Sequence, residues 1–328
     1  PPRSTLFPYT TLFRSVINGG RITIKTVGKG ITAAWEAAED ATTADVADDP
    51  NPDVTINGGV ITVTTSAVPY EKKTADGKTV SCSPEGIEAK SDLVVNGGVI
   101  ALNTPDDCLN AGSSITINGG SIYARSSAND AIDSNGTMKI AGGLVMAIGS
   151  GGPEGAFDCD MNEFAVTGGT LVGFGGSTSG PTAAACSQPV LIAGKYAAGD
   201  TVAIKDASGA TVAAFTVPAA LPTLVVSAPG FKVGGTYTIW TGTAASGGNE
   251  FYGLAAGGAA SGGTLAATFT LGDIVTKIGG MIFMMGPGGP GGPGGPGMPP
   301  PEGFGPPPEG WEPPEGWTPP DGWTPPQP

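Results

Sequence analysis

The chain has 328 residues, of which 56 are Gly and 31 Pro, with a formal net charge of −14 and no His. The acidic balance excludes a nucleic-acid partner, whose phosphates need basic patches, and the absent imidazole removes the commonest general base and transition-metal ligand. Charged residues are only 13%, and no apolar run approaches the ~20 residues of a membrane span. An exported protein rich in strands is expected.

Residues 1–15, PPRSTLFPYTTLFRS, fit no later pattern. They resemble translated sequencing-adaptor read-through and are set aside from the fold. From residue 16 a corner recurs: Asn18-Gly19-Gly20, Asn57-Gly58-Gly59, Asn96-Gly97-Gly98, Asn118-Gly119-Gly120, Ala141-Gly142-Gly143 and Thr167-Gly168-Gly169, at spacings of 39, 39, 22, 23 and 26 residues. Short period-2 strands flank it, such as Ile115-Thr116-Ile117 before and Ile122-Tyr123-Ala124 after. Repetition at this period means stacked coils, and the bare spacing fits a parallel β-helix over residues 16–187. Stacking then lines up Asn18, Asn57, Asn96 and Asn118 as an amide ladder with a structural role.

The two long steps carry insertions. Trp35–Asp53 is acidic and loop-like, a solvated flap, while Ser66–Ser83 holds an Asp76-Gly77 turn and reads as a hairpin. In the later coils the outward positions turn apolar: Ser121, Tyr123 and Arg125 give way to Leu144, Met146 and Ile148, then to Thr170, Val172 and Phe174. An apolar face of that size needs a cover. Residues 188–285, with short strands at Thr201–Lys205, Thr211–Val217, Thr223–Ser227, Thr236–Trp240 and Thr264–Leu271, are expected to supply it as a β-rich cap. Residues 286–328 are Pro-Gly-Gly repeats and then Pro-Pro units bearing Trp311, Trp317 and Trp323, a low-complexity tail without a core.

The chemistry lies in acidic corners: Glu85-Gly86-Ile87-Glu88, Asp107-Cys108-Leu109-Asn110, Asp130-Ala131-Ile132-Asp133 and, more loosely, Glu154-Gly155-Ala156-Phe157-Asp158. Stacking places Glu85, Asp107 and Asp130 in one column and Glu88, Asn110, Asp133 and Asp158 in another. Parallel strands lie ~4.8 Å apart, so bare carboxylates at that spacing repel. With Asp106 and Asn129 beside them, these hard oxygens make calcium the expected cofactor. The alternative is a solvated polar corner without an ion.

Four cysteines allow three pairings, and proximity along the chain favours Cys82 with Cys108 and Cys159 with Cys186. A glycan surface needs an exposed ring flanked by polar groups. Tyr123 and Arg125 share an outward strand face beside Asn103, continuing a polar track of Thr23, Lys25, Thr62 and Thr64. That face is a candidate ligand site unless the 188–285 segment roofs Tyr123.

The runs Cys82-Ser83-Pro84-Glu85-Gly86-Ile87, Asn129-Asp130-Ala131-Ile132-Asp133-Ser134, Pro153-Glu154-Gly155-Ala156-Phe157-Asp158-Cys159-Asp160 and Gly173-Phe174-Gly175-Gly176-Ser177-Thr178 resemble a bacterial family, the carbohydrate-binding domain-containing proteins. The resemblance covers roughly residues 16–280. It implies an all-β, right-handed parallel β-helix bearing calcium and akin in shape to polysaccharide lyases. It also implies binding of cellulose or acidic plant polysaccharide at the cell surface. Where this family tends to carry an acid, the chain has Lys29 and Thr32, so the first coil is expected to lack a calcium site. Two rival readings stand beside this one. A calcium-dependent lyase would need a basic residue such as Lys90, Arg125 or Lys139 next to the acids. A structural or adhesive surface protein would need a flat apolar end.

Overall fold

A computed structural model of the protein describes residues 14–34, 52–176 and 179–278. Among them the secondary structure is strand throughout, and no helix is long and apolar enough to cross a membrane. A first sheet joins β1 (Ser15–Ile17), β4 (Val54–Ile56), β9 (Asp92–Val95), β12 (Ser114–Ile117), β15 (Thr137–Ile140) and β18 (Phe164–Val166). A second begins with β2 (Arg21–Thr26), β5 (Val60–Thr65), β10 (Val99–Thr104), β13 (Ser121–Ser126), β16 (Leu144–Ile148) and β19 (Thr170–Gly175). A third holds β3 (Ile31–Ala33), β8 (Ile87–Ala89), β11 (Leu109–Ala111), β14 (Ile132–Ser134) and β17 (Phe157–Cys159). The pairings between all these strands are parallel. The chain visits the three sheets in rotation, returning to each one strand further along.

The register runs residue for residue, which is why alternation in the sequence becomes a core. Ile87, Leu109, Ile132 and Phe157 are neighbours along the third sheet, and all are at most 1% exposed. Ile61, Ile100, Ile122, Val145 and Leu171 do the same along the second. The other side chains of each strand face outward. The expected amide ladder is present: Asn57 Nδ2 donates to Asn18 Oδ1 at 2.7 Å, Asn96 to Asn57 at 2.8 Å and Asn118 to Asn96 at 2.8 Å. The corners require glycine for two reasons. Gly98 adopts φ +102, and a Cβ on Gly142 would lie 2.3 Å from the Asn118 carbonyl oxygen.

Parallel stacking ends at β23 (Thr223–Ser227), which pairs antiparallel with β19 and leads to β20 (Val190–Ala193) and β28 (Val275–Lys277). A further, antiparallel sheet of β21 (Thr201–Asp206), β22 (Thr211–Thr216), β24 (Thr236–Ser246), β25 (Asn249–Phe251), β26 (Leu254–Ala256) and β27 (Ala259–Thr270) lies over the outward side chains of β16 and β19. There Leu144, Met146, Ile148, Val172 and Phe174 pack into a second core with Val202, Ile204 and Phe215. The apolar outward face is thus covered by residues from the 188–285 segment. The inserted hairpin is β6 (Tyr70–Lys73) with β7 (Thr79–Cys82). The acids expected in the first insertion up to position 51, and the Trp-bearing tail, lie outside the described residues. At the other end Ser15 already pairs with Val54 and Arg14 with the Asp53 carboxylate at 3.3 Å, so those two residues of the set-aside leader join the first round of strands.

Both expected disulfides are corrected, because all four cysteines are free. Closeness along the chain does not set side-chain direction. Cys108 points inward, within 3.1 Å of Thr104 Oγ1, whereas Cys82 ends the protruding hairpin. Cys159 donates to the Gly136 carbonyl at 3.3 Å, and the Val166 N–H donates to the Cys186 sulfur at 3.3 Å. Burial pushes the Cys108 thiol up to about 12. A thiol reagent at pH 8 is therefore expected to modify half-exposed Cys82 in the native protein and to reach Cys108 only after denaturation. Peptide mapping that found Cys108 labelled first would contradict this placement.

Candidate functional site

The acidic corners stack along the edge of the third sheet. Thr32, Glu88, Asn110, Asp133 and Asp158 occupy one register position in β3, β8, β11, β14 and β17. The preceding segments are tied round to round as well: Gly30 N donates to Glu85 O, Gly86 N to Asp107 O and Leu109 N to Ala131 O. Lys29, Glu85, Asp107 and Asp130 therefore form a second file, and a third pairs Asp106 with Asn129, whose Nδ2 donates to Asp106 Oδ1 at 2.7 Å. Both expected acidic columns are brought together. Glu85, Glu88, Asp106, Asp107 and Asp130 are buried, Glu88 with only 1% exposed.

The two ends of this set are neutralised differently. At the first rounds Lys29 contacts Glu85 and lies 2.8 Å from Glu88 Oε2, which also accepts from Thr32 Oγ1 at 2.8 Å, while Lys90 pairs with Glu88 Oε1. Burial works against the Glu88 charge, yet hydrogen bonds from Lys29 and Lys90 outweigh it and hold the carboxyl below its ordinary value. Glu85 goes the other way: burial dominates its Lys29 contact and pushes it up to about 7. Further along, among the described residues, no ion pair involves Asp106, Asp107, Asp130, Asp133 or Asp158. Asn110 Nδ2 donates to Asp107 Oδ2 at 3.0 Å, but Asp107 Oδ1 is buried without any hydrogen-bond partner. The Gly155 N–H donates to Asp130, and Ser179 donates to Asp158 Oδ1 at 2.6 Å. Burial, with repulsion from Asp133, Asp106 and Asp130, pushes Asp107 up to about 9. Asp130 also reaches about 9, and Asp133 about 7, again mainly through burial and then through neighbouring acids.

A carboxylate left buried without counter-charge either takes a proton or needs a cation. The donors are all oxygen, which suits a hard divalent ion. Among the described residues, however, no three His, Cys, Asp or Glu side chains converge on one point closely enough to hold a metal as they stand. The acids are stacked in files, so Asp107, Asp130 and Asp133 crowd one another without forming a finished cage.

The expected ligand face is only partly open. Asn103 and Arg125 are exposed register neighbours on β10 and β13, continuing Lys25 and Thr64, and Thr23, Thr62 and Ala101 lead to Tyr123. Tyr123 is half-buried beneath Tyr252 of the antiparallel sheet, the two rings stacked with centroids 4.1 Å apart. The exposed ring here is Tyr252, which the sequence analysis did not single out. Its signal was the Phe251-Tyr252-Gly253 run between two short strands. Lys29 was noted there only as a departure from an acidic pattern, not as the partner of Glu85 and Glu88.

These features define an all-β protein of stacked parallel strands with a buried carboxylate file along one edge and a polar outward face that ends at an aromatic wall. A family model described as "Carbohydrate-binding domain-containing protein" matches residues 14–131, which include the first two acidic corners and the polar track. No curated protein and no solved structure matches the chain.

Proposed function

We propose that the protein is an exported, right-handed parallel β-helix that binds extracellular polysaccharide and carries calcium in its carboxylate file. The rotation of strands through three sheets in unbroken parallel register supports the β-helix reading. The family description over residues 14–131 supports carbohydrate as the ligand. One observation carries calcium: Asp107 Oδ1 is buried and unpartnered beside other acids, where burial and their repulsion raise its pKa and a cation would relieve both. Asp107, Asp130 and Asp133 are the residues that would hold the ion, with Asp106, Asn110, Asn129 and Asp158 around them. When bound, calcium would supply the positive charge that Lys29 supplies to Glu85 and Glu88.

A lyase reading finds no support in the basic residues. Lys29 is held protonated by Glu85 and Glu88, which outweigh the effect of burial and raise its pKa, the opposite of what a proton-abstracting lysine needs. Lys90 is spent on Glu88, while Lys139 and Arg125 belong to the first and second sheets and, among the described residues, form no ion pair with an acid. A glycan array run in calcium and again in chelator tests the proposal. Binding to β-glucan or polygalacturonate that disappears in chelator is expected, and no bound glycan under either condition would refute it.

A further inference from the structure

The hairpin of β25 and β26 closes through Tyr252 and Gly253, with Phe251 paired to Leu254. Both loop residues have positive φ, 48° for Tyr252 and 81° for Gly253. That two-residue turn favours Asn-Gly, and an aromatic residue in its first position is strained. Glu250 Oε1 accepts the Gly253 N–H at 3.0 Å and braces the tip. The strained ring is not hidden, since Tyr252 is 53% exposed even with one neighbour stacked on it. Phe251 meets it edge-on at 4.9 Å. Its chain neighbours Glu250 and Phe251, together with Ser121, Leu144 and Thr170, line a cleft of about 570 Å³ between the second sheet and the antiparallel sheet.

From this geometry we infer a sugar subsite: Tyr252, backed by Tyr123, is the stacking platform on which one end of a glycan chain is held, with Glu250, Ser121 and Thr170 meeting its hydroxyls in the cleft. The inference rests on the carbohydrate-binding reading and says where on the protein it happens. A pyranose ring offers an apolar C–H face to an aromatic ring and hydroxyls to its surroundings, the combination present here. Among the described residues, the only charged group lining the cleft is the Glu250 acid, so the subsite takes an uncharged hexopyranose, as in a β-glucan, and repels a uronate. The polar track of Thr23, Lys25, Thr62 and Thr64 runs along the second sheet and continues through Asn103 to Arg125, beside Tyr123, and gives a linear chain its approach.

Tyr252→Asn is the informative variant, because it deletes the ring while installing the residue pair the turn prefers, so the fold is kept. Its melting temperature should equal or exceed that of the wild type. Its affinity for a cello-oligosaccharide should fall tenfold or more, whereas Tyr252→Phe should stay within about threefold of the wild type. Unchanged glucan binding by a folded Tyr252→Asn variant would overturn the subsite and leave the broader reading intact. Loss of oligogalacturonate binding alone would overturn the assignment to a neutral sugar. A wild-type protein that bound neither saccharide would defeat the carbohydrate reading itself, and this subsite with it.

Discussion

Without calcium, the protein is expected to lose thermal stability steadily as the pH rises from about 5 to about 9, and added calcium is expected to remove most of that loss. Unfolded carboxyls titrate near pH ~4, whereas in the metal-free fold Asp107 and Asp130 sit at about 9 and Asp133 and Glu85 at about 7. The folded state thus holds these protons more tightly than the unfolded chain. Their contribution is most favourable below the unfolded value and is lost as the pH climbs through the folded values. Several kcal/mol are involved, and each moves the melting temperature by about 2–4 °C in a domain of this order of size. Asp107→Asn should flatten the profile in chelator and weaken the response to calcium. A melting temperature in chelator that does not change between pH 5 and 9 would contradict the buried, uncompensated file.

Phe174→Ala is expected to destabilise the protein by about 3–5 kcal/mol through the cavity it leaves. Phe174 is only 2% exposed and meets Phe215 edge-to-face with centroids 5.8 Å apart. The ring comes from the last parallel strand of the second sheet and its partner from the antiparallel sheet, so truncation loosens the contact between the two layers. A fall of roughly 10 °C in melting temperature is expected. A fall below about 2 °C would mean that the antiparallel sheet contributes little to holding the outward face.

Much of the repeat was legible because the evidence for it is local. Asn-Gly-Gly corners and period-2 strands declare themselves within ten residues, and once the register is residue for residue the columns Glu88, Asn110, Asp133 and Asp158 follow by counting. The apolar run Leu144, Met146, Ile148 announced a cover in the same way. What was hidden depends on contacts across long separations. Lys29 reaches Glu85 over 56 residues, across an insertion that obscures the repeat. Tyr252 meets Tyr123 only because an antiparallel sheet folds back over the parallel one. The cysteines misled for a related reason: Cys82 stands on a hairpin that leaves the stack, while Cys108 faces into it, so nearness in sequence did not bring the two sulfurs together.

Glycan binding is expected to depend on an ion in the carboxylate file. The most direct test is a calorimetric titration of the oligosaccharide that binds best on the array, performed on the full chain at pH 7 in millimolar calcium and again in excess chelator, at a temperature where both forms are folded. Saturable binding in calcium that weakens at least tenfold in chelator, and weakens similarly when Asp130→Asn is titrated in calcium, is the predicted result. Equal affinity under both conditions would contradict it.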